Sequence, residues 1–431
     1  MKKTMKLQQT LKPRILFFAG AALLLLLAGC TVNNAVSDSN LSEMYRSSDE
    51  FLEPDFIVYH HSNDSSTVFF RFNTKNLLYA RKLNAKNPTA RVRLGYRLYQ
   101  DFESNALLDS GSVVLTDPVK TEIPKWVTGS FRIPVKRGNN YILRLQATDM
   151  NRGQHAHSVQ PVLKESVKGR HEYLLMDSVG RPLFRPYIGP GERITVQYSQ
   201  AEQSRVIHGK FYNRSFPVAP PPFAAFTPKP FDYVPVSTFT IALTDSATFT
   251  FRSTQEGFFH LTIQEDDRDG LTLYRFDSGF PEVNTLSEMV SALRFVTSKK
   301  EYFKIADAPD QKVAMDAFWL SASNNPDRAR ELIRAYFNRV QNANLYFSSY
   351  KEGWKTDRGI IYIVFGPPNT VYKSNDSESW LYGEEGNYLS VAFNFARVKN
   401  PFTPNDFVLQ RSPTYKTQWY RAVDAWRQGR V

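Results

Sequence analysis

One cysteine, Cys30, occurs in 431 residues, so the chain forms no intramolecular disulfide and its fold stands on its core alone. Only one apolar run is long, Ile15 to Leu27, and it is too short to span a bilayer comfortably. No internal repeat is visible. A Gly-x-Ser-x-Gly elbow, a cysteine nucleophile and a zinc-protease helix motif are all missing, which removes the hydrolases that carry those signatures. Gly366-Pro367-Pro368 has neither the glycine spacing nor the lysine of a phosphate loop. A hydrolase built on a carboxylate pair stays open, because such pairs need no sequence proximity.

What is present at the start is an address. Lys2, Lys3, Lys6, Lys12 and Arg14 precede the apolar run with no acid among them, and the run closes on Leu27-Ala28-Gly29-Cys30. Residues 1–29 therefore read as a lipoprotein signal peptide and Cys30 as the acylated residue, a palmitate-type anchor in the membrane. After it come Thr31, Val32, Asn33 and Asn34, without an acidic sorting signal, so the expected location is the outer membrane, facing the periplasm. Residues 30–50 are polar and rich in Ser, Asn and Asp, the composition of a flexible tether with a root-mean-square reach of roughly 25 Å.

The formal charge is +12, but the five leader cations account for part of it and +7 remains beyond them. A modest excess of this kind suits anionic headgroups and glycans, and nucleic acid is not an expected partner. Apolar residues make up 42% and aromatics 14%, a globular composition with a bias towards β packing.

Period-2 alternation dominates residues 51–164. In Arg91–Tyr99, Val92, Leu94, Tyr96 and Leu98 share one face and Arg91, Arg93 and Arg97 the other. Similar runs continue through residues 165–280. The prediction is two antiparallel β-sandwich domains of immunoglobulin-like size followed by an α+β C-terminal domain over 281–431. Between Phe216 and Pro235, seven prolines are threaded with Phe216, Phe223, Phe226, Phe231 and Tyr233. Proline cannot occupy the middle of a sheet, so this is an extended connection that either wraps the sandwich edge or docks a partner.

From Leu286 the pattern turns helical. Asn325-Pro326-Asp327 supplies an N-cap, a first-turn proline and an acid ahead of a long helix whose buried face carries Leu332, Ile333, Tyr336, Phe337, Val340 and Phe347. Ile360–Phe365 reads as a strand stopped by Gly366-Pro367-Pro368-Asn369, and the last helix starts near Tyr415.

Gly353-Trp354-Lys355-Thr356-Asp357-Arg358-Gly359, followed by Ile361-Tyr362-Ile363-Val364-Phe365-Gly366-Pro367-Pro368-Asn369 and Trp380, resembles the GWxTD domain of bacterial envelope proteins. Upstream, Ala317-Phe318-Trp319, Asn325-Pro326-Asp327 and Tyr336-Phe337-Asn338-Arg339-Val340 fit as well. The resemblance implies a lipoprotein with a β-rich N-terminal region and names no reaction. It makes Gly353, Trp354, Thr356, Asp357, Arg358, Gly359, Gly366 and Pro367 either a stapled turn leading into a strand or a partner surface.

The histidine pair His155-x-His157 has ligand-like spacing but no acidic residue near it in the chain, so it reads as an exposed loop and no metal or other cofactor is expected. Gln264–Gly270 is acidic and reads as a hairpin turn rather than a calcium loop. The functional expectation is a non-enzymatic, lipid-anchored scaffold or adaptor for outer-membrane or secretion proteins. A glycan- or cell-wall-binding lipoprotein is the alternative, and a carboxylate-dependent hydrolase the second alternative.

Overall fold

The computed structural model describes residues 36–46, 52–81, 87–118, 124–200, 205–213, 215–227, 229 and 231–431. Cys30 and residues 1–29, read above as a signal peptide, lie outside the described residues, so the lipidation reading is carried by the sequence alone.

Five antiparallel sheets and a helical layer build the described chain. Strands β1 (Asp55–Tyr59), β2 (Ser66–Asn73) and β5 (Trp126–Ile133) form a three-stranded sheet ordered β1-β2-β5. It faces a four-stranded sheet ordered β4-β3-β6-β7, with β3 (Thr89–Tyr99), β4 (Leu107–Pro118), β6 (Asn140–Asp149) and β7 (His155–Leu163). Val68, Phe70 and Phe72 of β2 meet Val92, Leu94 and Leu98 of β3 and Leu143 and Leu145 of β6 in the space between them. The alternation in β3 is the sequence cause: its even-numbered apolar residues face the opposing sheet.

The second pair of sheets repeats the arrangement. β8 (Tyr173–Met176), β9 (Arg193–Tyr198) and β12 (Thr248–Arg252) pack on β10 (Val206–Tyr212), β11 (Ser237–Ala242), β13 (Gly257–Thr262) and β14 (Leu271–Arg275). Ile194, Val196, Phe249 and Phe251 meet Ile207, Leu261, Leu271 and Leu273 there. The acidic segment 264–270 joins β13 to β14, as the hairpin reading requires. His60 and His260 are interior and His171 is half-buried, and desolvation pushes each below the ordinary imidazole range; His60 bonds Ser66 and Leu163, and His260 bonds Thr272 and Arg268.

All five residues of β14 are buried, unlike those of a half-exposed sandwich strand. Its outer face meets the C-terminal region: Tyr212, Phe258, Tyr274 and Phe276 cluster with Phe402, and Tyr274 donates to Phe402 O at 3.2 Å. Beyond it come α1 (Leu286–Ala292), α2 (Lys299–Ala306), α3 (Gln311–Ser323), α4 (Pro326–Phe347), α5 (Asp357–Phe365) and α6 (Lys416–Arg427). They cover one sheet, β15 (Thr370–Lys373), β16 (Ser377–Tyr382), β17 (Val391–Arg397) and β18 (Phe407–Leu409), in chain order. Asn325 caps α4 through Oδ1 to the amides of Asp327 and Arg328, as its sequence predicts.

Three expectations are corrected. Ile360–Phe365 is helix α5 rather than a strand; every residue from Ile360 to Val364 is buried, so hydrophobic period carried no information, and the Thr356 cap decided the state. His155 and His157 stand in strand β7, not in a loop. Residues 36–46, taken as part of a flexible tether, are folded: Leu41 and Tyr45 are 2% and 4% exposed. Their polar neighbours dominate the composition and mask two core residues.

The proline-rich segment between β10 and β11 contains no strand, as predicted, but it lies along the C-terminal region. Ala219 N bonds Lys355 O, Ser412 N bonds Pro222 O, Arg411 bonds Pro220 O, and Phe223 packs on Tyr420 with ring centroids 5.5 Å apart. Phe216 and Phe231 join Phe258, Tyr350 and Phe402. Phe226, Tyr233 and Val236 of the same segment stay 48%, 45% and 62% exposed.

Candidate functional site

The motif residues Gly353 to Gly359 form a latch between α4, α5 and the sheet. Gly353–Lys355 make one tight turn laid against α4: a Cβ on Gly353 would stand 1.9 Å from Ala343 O. Gly359 sits on that turn in the same way, its notional Cβ 1.9 Å from Gly353 O. Only glycine allows these approaches. Trp354 is 4% exposed; its amide donates to Asn344 Oδ1 and its ring stands edge-on to Phe295. Thr356 Oγ1 accepts from Gly359 N at 3.0 Å and donates to Gly353 O at 2.7 Å, capping α5 and closing the turn at once.

Asp357 and Arg358 reach the sheet. The Asp357 carboxylate accepts Leu409 N at 2.9 Å and pairs with Arg411, both side chains being less than a tenth exposed. Arg358, 1% exposed, donates to Glu378 at 2.9 Å and to Asn405 O at 2.9 Å, and stacks over Phe407 at 4.2 Å and Phe347 at 5.0 Å. Gly366 ends α5 with φ +84° beside Arg339, whose guanidinium donates to Ile363 O and lies over Trp426. Pro367 is exposed; the other seven motif residues are buried, so they are an internal brace and not a surface.

Glu378 is the centre of this region. Its carboxylate, fully enclosed, accepts from the Tyr45 hydroxyl, from Trp380 Nε1 at 3.0 Å and from Arg358, with Lys373 Nζ 3.6 Å away. Burial alone would raise its pKa, but Lys373, Arg358 and the hydrogen bonds from Tyr45 and Trp380 outweigh that and hold it below the usual carboxylate range. Tyr45 is pushed well above the ordinary phenol value by burial and by Glu378, so its hydroxyl remains a donor. Its ring is enclosed by Phe347, Trp380 and Tyr346, with centroids 5.1, 5.3 and 5.6 Å away.

Tyr45 therefore brings the N-terminal segment into the heart of the C-terminal domain. Tyr362 donates to Tyr45 O at 2.9 Å, Leu41 N bonds Val371 O at 2.8 Å, and Asn40 Oδ1 accepts Val371 N. The same segment touches the first β block, where Leu41 and Tyr45 share a core with Tyr99, Phe102, Ile142 and Val159 and Ser37 N bonds Phe102 O. Tyr45, Lys373, Glu378 and Arg411 carry no motif of their own. The pattern Glu378-x-Trp380, two residues on one face of β16, was the signal available for the acid.

The buried carboxylates of the domain are spent internally: Asp357 on Leu409 and Arg411, Glu378 as above, and Asp406 on Tyr350 and Asn400. Phe226, Tyr233, Val234 and Val236 are exposed apolar residues of the strap.

The family model of the GWxTD domain matches residues 257–428. The match begins at β13, inside the second β block, where the outer sheet face shares the Phe402 cluster with the C-terminal region. No curated protein matches the chain. Among solved structures, β-glucuronidase 2 of Bacteroides uniformis, covalently bound to cyclophellitol-6-carboxylate aziridine, is similar at 12% identity and TM-score 0.18, covering 32% of this chain and 15% of that one. A second structure of Bacteroides uniformis β-glucuronidase gives 12% identity, TM-score 0.18 and coverages of 32% and 16%. The chain thus spans less than a fifth of those proteins' length.

Proposed function

With residues 257–428 forming a GWxTD domain, we propose that the chain is a lipid-anchored cell-envelope protein that acts as a non-enzymatic scaffold or adaptor. In this reading the leader ends at Gly29, Cys30 carries the lipid, and the protein faces the periplasm from the outer membrane. We take the two sheet pairs as immunoglobulin-like sandwiches over 51–164 and 165–280, with the α+β unit over 281–431.

The observation that carries the reading is the strap. It fastens the second β block to the GWxTD domain and leaves Phe226, Tyr233 and Val236 exposed along its length, apolar side chains of the sort that contact another protein. Saturation of Asp357, Glu378 and Asp406 by internal partners supports a structural rather than a chemical use of the domain. The folded segment 36–46 shortens the tether: from Cys30 to Val36 the extended chain spans at most about 20 Å. A scaffold held that close presents a defined side to its membrane.

Cys30→Ser tests the anchor. The variant is expected in the soluble fraction of lysed cells, while the wild type sediments with membranes and its N-terminal peptide carries the mass of acyl chains. Equal sedimentation of both proteins, with an unmodified Cys30, would remove the lipid from the proposal.

A further inference from the structure

We propose that Glu43, His155 and His157 form a binding site for a divalent transition-metal ion of the zinc class, and that the ion staples the N-terminal segment to the first β block. His155 and His157 are two residues apart in β7, so the pleat puts both rings on one face, with centroids 5.0 Å apart. Their spacing alone offers two ligands and was insufficient. The third comes from more than a hundred residues earlier: the turn Ser42–Tyr45 lies against β7 and places Glu43 Oε2 2.8 Å from His157 Nδ1.

One donor atom from each residue lies within 4.8 Å of the others. Ligand atoms around a tetrahedral ion at zinc distances stand about 3.4 Å apart, so closure needs only small rotamer adjustments. Two imidazoles with one carboxylate select zinc-like ions over calcium or magnesium, which take all-oxygen sets. Three protein ligands leave a fourth position for water, and the site is open to it: Glu43 is 44% exposed and His157 23% exposed. Arg144, the cation that also bears on His157, donates to Ser39 Oγ at 3.2 Å.

The consequence follows from sequence adjacency. Glu43 precedes by two residues the Tyr45 that fills the aromatic box over Glu378. An ion holding Glu43 to β7 fixes the approach of that segment to the GWxTD domain, so metal and Tyr45 grip the same short stretch from two sides. The inference stands whether or not Cys30 is acylated.

The test uses the full mature chain, stripped with a chelator and then titrated with zinc chloride by calorimetry, with bound metal measured by elemental analysis after dialysis. The wild type is expected to retain one equivalent of zinc. His155→Ala/His157→Ala should lose it, and Glu43→Gln should bind more than about tenfold more weakly. Zinc should also slow proteolysis within residues 36–46 in the wild type and not in Glu43→Gln. Unchanged metal-free melting temperatures show that the variants fold. Equal zinc uptake by wild type and the double histidine variant, or none by either, overturns the site. Wild-type affinity in Glu43→Gln overturns the staple.

Discussion

Glu378→Ala is expected to destabilise the C-terminal domain by about 3–5 kcal/mol, among the largest effects of any single substitution in the chain. The cause is not the loss of one ion pair. Arg358, Lys373, the Tyr45 hydroxyl and Trp380 Nε1 all converge on this carboxylate, and its removal leaves the hydroxyl and the indole N–H without their acceptor and the buried Arg358 and Lys373 cations without their counter-charge. Glu378→Gln keeps an acceptor oxygen at the same place and should cost less. Urea unfolding followed by tryptophan fluorescence reads the loss, because Trp380 is in the network and fully buried. A pH signature accompanies it. The folded-state pKa of Glu378 is depressed, so its contribution is complete above the ordinary carboxylate pKa and disappears as pH falls through the lower folded value. Wild type should lose stability in that acid range, and Glu378→Ala should lose less of it. A variant within 1 kcal/mol of wild type at neutral pH would contradict the convergent network.

Gly359→Ala is expected to cost about 3 kcal/mol or more, and its sign is as informative as its size. Gly359 lies in the first turn of α5, where alanine is the better helix former by about 1 kcal/mol, so an unconstrained site would be stabilised. The added methyl would stand 1.9 Å from Gly353 O and 2.9 Å from Gly353 C, both backbone atoms with no rotamer to move. The turn and the helix must separate, which breaks the Thr356 bridge and draws Asp357 and Arg358 away from the sheet. Gly169→Ala is the control: its φ is −68° and its nearest neighbour is 3.8 Å away, so it should stay within about 0.5 kcal/mol of wild type. Thermal melts of both variants decide the matter. A stabilised Gly359→Ala would mean that the two halves of the motif do not touch as described.

The sequence was most legible where one face of an element is buried and the other wet. The alternation of β3 and the capped, amphipathic α4 were read correctly for that reason. Helix α5 was misread because a fully buried element shows no period, and its run of β-branched residues imitates a strand. The motif's internal role was half legible: a stapled turn is one of its two readings, and Thr356, Asp357 and Arg358 brace it through Gly359, Leu409 and Glu378. The alternative, a motif surface, fails on burial. Tyr45 and Glu43 were invisible because their partners lie far away in the chain, and a polar composition does not stop one tyrosine from entering a core. The strap was placed by its prolines, but composition held no information about which domain it would lie on.

The adaptor reading is tested most directly at the strap, since substitutions in Trp354 or Asp357 would damage the fold before they touched a partner. Native protein is crosslinked mildly in cells, affinity-purified and compared with Phe226→Ser/Val236→Ser at matched abundance. Both positions are exposed, so the variant should fold as wild type does. The account expects a defined set of envelope proteins with the wild type and their loss with the variant. The same set recovered with both proteins, or none with either, would contradict a docking edge on the strap.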